Sequence, residues 1–289
     1  MRMPSLSAFS PSEETLRQGQ RMLRRWLGKR LSVEDLAWLD EECKAAAGKD
    51  PVKRFYMAFS AACRHAGKEP LDLTKPDRAS AERIRPGWAP AAWTEVQAGR
   101  ITLLLHRDPR NRERWLAELD TIFGTGDLEE LVALYQALPI LPHPESLADR
   151  CTEGVRSNMT DVFRAVAHGN PYPSEFLTDA AWNQLVLKAL FVEIGIEGVV
   201  GLEDRGNPAL ARMLCDYARE RWAAKRPVPP ELWRCVGPHA DEAGVKDLER
   251  ALDEGDGPTK AAAADALRRC PWPEASWVLS KHGFAPREE

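Results

Sequence analysis

β-Branched apolar residues are scarce in this chain: 15 Val and 6 Ile stand against 39 Ala and 32 Leu in 289 residues. Strands favour the first group and helices tolerate the second, so a parallel sheet, sandwich or barrel is excluded as the main architecture. A charge of one sign is missing too. The 40 Lys plus Arg and 44 Asp plus Glu leave a net −4, too little to argue for nucleic acid or a membrane surface on electrostatics. No apolar run reaches the ~18 residues of a membrane span. The nearest, Leu185 to Leu202, is broken by Lys188, Glu193 and Glu197. The opening Met1-Arg-Met-Pro-Ser-Leu-Ser7 has no apolar core of signal-peptide length. Cys43, Cys63, Cys151, Cys215, Cys235 and Cys270 form no CxxC and no tight framework, so reduced thiols acting as small hydrophobes are expected. These absences together predict a cytoplasmic protein.

What is present reads as helix, and the fold class expected is all-α. Hydrophobic residues make up 44%, enough for a packed core. Ser12 or Ser10 can cap a helix reaching Leu27, with Leu16, Met22, Leu23, Trp26 and Leu27 along one side. Ser32-Val-Glu-Asp35 has the form of a capping box and opens a helix to about Ala47. Pro51 starts a third, with Phe55, Phe59, Ala62 and Cys63 on its stripe. Further helices are expected near 91–105, 109–123, 127–138, 145–155, 158–168, 179–193, 208–224, 230–236, 241–253, 258–269 and 273–281. From Gly67 to Pro90 the chain is polar and punctuated by Pro70, Pro76, Pro86 and Pro90, and reads as a connector. The expected plan is an N-terminal helical part (1–66), this connector (67–90), a second helical domain (91–283) and a tail (284–289). Short loops set neighbouring helices antiparallel, which predicts an irregular α-solenoid or multi-helix bundle of helical hairpins. Thr259 to Arg269, followed by Pro271, resembles the second helix of a HEAT repeat, without a strict period through the chain.

Motifs of familiar chemistry fail on their context. His106-Arg107-Asp108 spells a kinase tripeptide, but Glu113 stands where Asn is needed, and the fold that supports the motif has strands, which this composition disfavours. Asp253 to Lys260 has glycines and a lysine without Walker spacing. The six histidines form no ligand pair, and acidic runs such as Asp40-Glu41-Glu42 lack the DDxxD pattern. No catalytic residue, metal or cofactor is therefore assigned.

Between Glu153 and Pro238 the chain is denser in polar, aromatic, Gly and Pro residues than a scaffold needs. In the helix from Asp179, Trp182, Leu185, Val186, Ala189 and Leu190 make one stripe, and Leu187 and Phe191 extend it, which predicts burial on more than one face. Gln184 and Lys188 lie over one another at i and i+4, with Asn183 beside them. Buried polar groups need partners, and Glu153, Asp161 and Asp204 are candidates. Two readings stay open: an internal polar network, or a pocket wall where Lys188 meets an anionic or hydroxyl-rich ligand. Asn207 and Pro208 start another helix, whose free N–H groups beside Arg205 make either an anion site or a plain capped end. Arg219, Arg221, Lys225 and Arg226, mixed with Asp216 and Glu220, read as a solvated helix face. Pro227, Pro229 and Pro230 follow as a stiff connector, and Trp182, Trp222 and Trp233 read as core anchors whose N–H groups want acceptors.

Here the sequence resembles the bacterial EboA family of metabolite traffic proteins. The resemblance rests on Glu153-Gly-Val-Arg-Ser-Asn-Met159 with Val162-Phe163, on Asn170-Pro-Tyr-Pro173 and on Trp182-Asn-Gln-Leu-Val-Leu-Lys188. Downstream it includes Gly201-Leu202, Arg205, Asn207-Pro208, Leu210-Ala-Arg-Met213, Tyr217, Glu220-Arg221 and Arg226-Pro227. It covers residues 145–240, about a third of the chain, with Gly206 where Ala and Leu185 where Met would be expected. It implies an operon shared with a membrane prenyltransferase-like protein, a sugar-phosphate-cyclase-like enzyme and metal-dependent hydrolase- or isomerase-like proteins. Such operons are tied to making or moving a small prenylated metabolite, and this component carries no agreed activity. The expectation is a non-enzymatic helical protein that binds such a metabolite or its partner proteins. Lys188, Arg156 and Arg205 would then face a phosphate or carboxylate, and Asn158, Asn183 and Gln184 hydroxyl groups. Glu153, Tyr172 and Asn207 complete the candidate set. The alternatives are a scaffold docking the membrane prenyltransferase, or an enzyme without a familiar signature using a buried Glu153 beside Arg156.

Overall fold

A computed structural model describes residues 9–48 and 51–285; the opening Met1–Ser7 stretch and residues 286–289 of the expected tail lie outside it. Among the described residues there are sixteen α-helices and no strand. The chain divides into two compact units between Leu177 and Thr178.

The first unit holds α1 (Glu13–Leu27), α2 (Val33–Ala47), α3 (Val52–Ala61), α4 (Lys75–Ile84) and α5 (Glu95–His106). It continues with α6 (Arg112–Thr125), α7 (Leu128–Ala137), α8 (Ala148–Arg156), α9 (Thr160–Ala167) and α10 (Tyr172–Phe176). Helix α5 is its axis. Residues 95–105 are buried except Gln97, so this helix has no solvent face, and α1, α2, α3 and α7 pack round it. A helix apolar on every side can only be stable inside. Its one buried cation, Arg100, donates to the Phe59 carbonyl at 3.2 Å and lies 3.8 Å from Glu130 on α7. Two further buried pairs join neighbouring segments: Arg107 to Glu118 at 2.6 Å and Arg85 to Glu175 at 2.8 Å. Each keeps a buried charge compensated, which is the condition for placing it there.

The run 67–90 lies inside this unit. Thr74 and Asp77 form a capping box, Pro76 sits in the first turn, and α4 then packs on α1. Asp77 accepts from Trp26 Nε1 at 3.1 Å and from Lys29 Nζ at 3.0 Å. Pro76 and Pro90 open helical turns here, while Pro70 bridges to Thr94 and Pro86 sits in a turn. Gly154 on α8 marks a close helix approach: a methyl there would sit 2.5 Å from Tyr135 Cε1 and 2.6 Å from Val166 Cγ2.

The second unit holds α11 (Asp179–Phe191), α12 (Pro208–Ala223), α13 (Trp233–Val236), α14 (Glu242–Glu254), α15 (Gly257–Arg269) and α16 (Glu274–Lys281). Helix α12 packs on α11, α13 and α14, while α15 packs on α13, α14 and α16. Trp182, Trp233, Leu185, Leu214, Leu248 and Leu267 form the core between them. Gly255 and Asp256 alone connect α14 to α15, making a helical hairpin. Helix α11 buries Trp182, Asn183, Leu185, Val186, Ala189 and Leu190, but the extension of the stripe through Phe191 is not buried. Gln184 is exposed and Phe191 is 69% exposed, because the helix packs chiefly on α12 along its Trp182–Val186–Ala189 stripe.

Candidate functional site

Asn183, Arg205 and Asn207 meet at the start of α12, while Gln184 is exposed and lies outside the cluster. Thr178 caps α11, and Asp179 in its first turn pairs with Arg205 at 2.9 Å. The Arg205 guanidinium lies 5.3 Å from the centre of the Trp182 ring. Asn183, only 4% exposed, and Asn207 exchange hydrogen bonds: Asn183 Nδ2 donates to Asn207 Oδ1 at 3.2 Å, and Asn207 Nδ2 to Asn183 Oδ1 at 2.9 Å. Asn207 Oδ1 also caps α12 through Leu210 N at 2.9 Å, and its Nδ2 donates to the Arg205 carbonyl at 3.1 Å. The two amides satisfy one another, so this cluster is a brace between helices. Trp182 and Trp233 are fully buried and their indole N–H groups meet no acceptor, contrary to the expectation. Lys188 is half-buried, and desolvation lowers its pKa.

The other candidates belong to the first unit. Glu153, expected buried beside Arg156, is exposed and pairs with Arg150 at 2.7 Å; the i, i+3 spacing brings that arginine over it. Asp161 pairs with Arg164 at 2.7 Å. Arg156 and Asn158 are exposed. Tyr172 is buried; its hydroxyl donates to the Pro144 carbonyl, its ring stacks on Phe176, and burial raises its pKa.

A cleft of about 790 Å³ opens in the second unit where α11, α12 and α14 end and α15 begins. Leu190, Ile194, Trp222, Val228 and Ala251 give it apolar walls, and Pro227, Pro229 and Pro230 stiffen one side. Trp222 is backed by the buried Trp233, ring centres 5.9 Å apart, with the Arg250 guanidinium 4.4 Å over its ring. Helices α11 and α12 both finish in the left-handed turn that normally takes glycine, yet the residues there are Glu193 (φ 59°) and Lys225 (φ 55°). The backbone closes each turn in the usual way, with Ile194 N to Ala189 O at 3.1 Å and Arg226 N to Arg221 O at 2.8 Å. A side chain at such a position costs about 1 kcal/mol against glycine, and both face one cleft.

Most charges round the cleft are committed. Glu231 Oε2 accepts from Ile196 N at 3.2 Å, Glu254 pairs with Arg250 at 3.0 Å, and Asp256 caps α15 through Thr259 N. Arg221 donates to the Pro227 carbonyl and to the Tyr217 hydroxyl. Lys225, Arg226 and Glu193 make no side-chain hydrogen bond or ion pair among the described residues. Lys225 and Arg226 are exposed, as their sequence context predicts, so nothing in that context marks the cleft beside them. The available signal was two helices ending without glycine.

Among the described residues, no group of three His, Cys, Asp or Glu side chains could hold a metal ion, and no helix is long and apolar enough to cross a membrane. A family model described as metabolite traffic protein EboA matches residues 19–237, most of the first unit and half of the second. No curated protein matches, and no solved structure matches.

Proposed function

The chain belongs to the EboA family of metabolite traffic proteins, and from that premise we propose that it is a non-enzymatic carrier of a small metabolite. The observation that carries this reading is the cleft of about 790 Å³ in the second unit, within the roughly 300–1,000 Å³ range of small-molecule sites. Its walls are apolar, and its uncommitted polar groups are few, the pattern that holds a ligand by its body and orients it by its ends. The helical hairpins of α12 to α16, read as a short HEAT-like stack, supply the concave surface.

Within the same proposal the cargo is an anionic or polyhydroxylated metabolite able to carry a prenyl chain. The partners are the operon's other proteins, a membrane prenyltransferase-like one among them, and the compartment is the cytoplasm. Asn183, Arg205 and Asn207 support it from behind, holding α11 against α12. Gln184 and Lys188 are the remaining α11 groups proposed to face ligand.

Thermal unfolding with fractionated small-molecule extract of the source cells tests the reading. Ligand binding to the folded chain alone raises the melting temperature in proportion to ln(1 + [L]/Kd). A fraction that stabilises the parent chain should lose its effect on Ile194→Trp, which fills the cleft. No active fraction, or an effect unchanged in that variant, overturns the assignment.

A further inference from the structure

We infer that the cleft takes an amphipathic anion: an apolar body against Trp222, Ile194 and Val228, with its negative group between Lys225 and Arg226. The inference rests on the carrier reading and adds the ligand's charge.

The argument is one of which groups are left to bind. By formal charge the cleft is balanced toward acid, with Arg221, Lys225 and Arg226 against Glu193, Glu231, Glu254 and Asp256. Three of those carboxylates are already held, by a backbone N–H, by Arg250 and by the first turn of α15. These three keep their charge, but each already spends part of its bonding on a partner within the chain. Arg221 is likewise held. What remains uncommitted is two cations adjacent in sequence against Glu193 alone.

The ends of α11, α12 and α14 oppose an anion, each worth about half a negative charge spread over its last carbonyls. Lys225 and Arg226 are full charges beside the end of α12, each larger than the half charge of that helix end. Lys225 also occupies a left-handed backbone position where glycine would be less strained, so a charged side chain is kept there at a cost in stability.

Two dyes that share one body separate the charge from the apolar contact. Anilinonaphthalene sulfonate and N-phenyl-1-naphthylamine differ only in the sulfonate, and both report binding by fluorescence. The sulfonate should bind the full chain at one saturable site roughly three- to tenfold more tightly than the neutral dye, as two partly exposed charge contacts allow. The preference should shrink as salt rises. In the double variant Lys225→Gln, Arg226→Gln the two dyes should bind alike, with the circular-dichroism spectrum and melting temperature of the parent. Equal binding of both dyes by the parent, or a preference untouched in the double variant, overturns the anion assignment while the carrier reading stands. If neither dye binds, or Ile194→Trp leaves both unaffected, the cleft itself fails as a site. Should the double variant not fold, Lys225→Gly alone, which relieves the backbone, must still halve the preference.

Discussion

Replacing Asn207 by alanine separates a brace from a ligand site. The change removes the α12 cap at Leu210 N, which costs about 1 kcal/mol. It also strips both partners from the Asn183 amide, which is 4% exposed and cannot turn to water, at about 1–3 kcal/mol. The sum is a loss of about 2–4 kcal/mol. Asn207→Asp keeps an acceptor for Leu210 N and for Asn183 Nδ2 and removes only the donor, so about 1 kcal/mol should go. Asn183→Ala leaves the cap intact and should cost about 1–2 kcal/mol. Because the two side chains spend their bonds on each other, the double variant should cost about 1–2 kcal/mol less than the sum of its parts. Urea unfolding followed by circular dichroism and by tryptophan fluorescence gives these differences, and the buried Trp182 beside the pair reports on the second unit. A cost below about 0.5 kcal/mol for Asn207→Ala, or strict additivity, would refute the brace.

Three other outcomes follow from named contacts. Gly154→Ala should destabilise by about 1–3 kcal/mol or more, since the added methyl meets Tyr135 and Val166 from opposite sides; a melting temperature equal to the parent's would contradict that packing. Burial pushes the Cys43, Cys215 and Cys235 thiols up to about 12 and raises Cys151 and Cys270, whereas Cys63 is exposed. Ellman's reagent near pH 8 should therefore label one thiol fast and the rest only on unfolding, and Cys63→Ser should abolish the fast phase. Burial pushes the Asp77 carboxyl up, but hydrogen bonds from Thr74 and Lys29 outweigh it and hold it at about 2. The folded value lies below the unfolded one, so its contribution is complete above about pH 4 and is lost as pH falls toward 2. Asp77→Asn should flatten the stability profile in that window, and an unchanged acid limb would show the pairing contributes nothing.

Helices were legible wherever a local signal carried them. Ser12, Ser32 and Asn207 each cap the helix that follows, and the composition alone ruled out sheet. Two short helices escaped: α4 and α10 are introduced by Pro76 and Pro171, and among Pro70, Pro86 and Pro90 such residues read as breaks. One proline inside a first turn and one inside a linker look alike until the capping box at Thr74 and Asp77 is weighed. The role of α5 was out of reach for a different reason. Its burial comes from α1 to α3, up to about eighty residues earlier, and from α7 after it, and no local pattern says which partners such a helix will find.

The site was legible in part, and the physical reason lies in where free bonding capacity remains. Polar residues inside an apolar helix drew attention to Asn183 and, across the loop, to Asn207 and Arg205, and those three do converge. Convergence is not availability. The Asn207 amide spends both donors and both lone pairs, and Asn183 is tied to it and buried, whereas Lys225 and Arg226, surface cations by sequence, keep their bonding capacity. Sequence shows which residues are unusual for their surroundings; only coordinates show which have already been paired. The two tests therefore pull apart. Disrupting Asn183 and Asn207 should cost stability with ligand preference retained, and removing Lys225 and Arg226 should cost preference with stability retained. A protein in which both pairs of substitutions act on stability alone would have a cleft that is only a gap between helix ends.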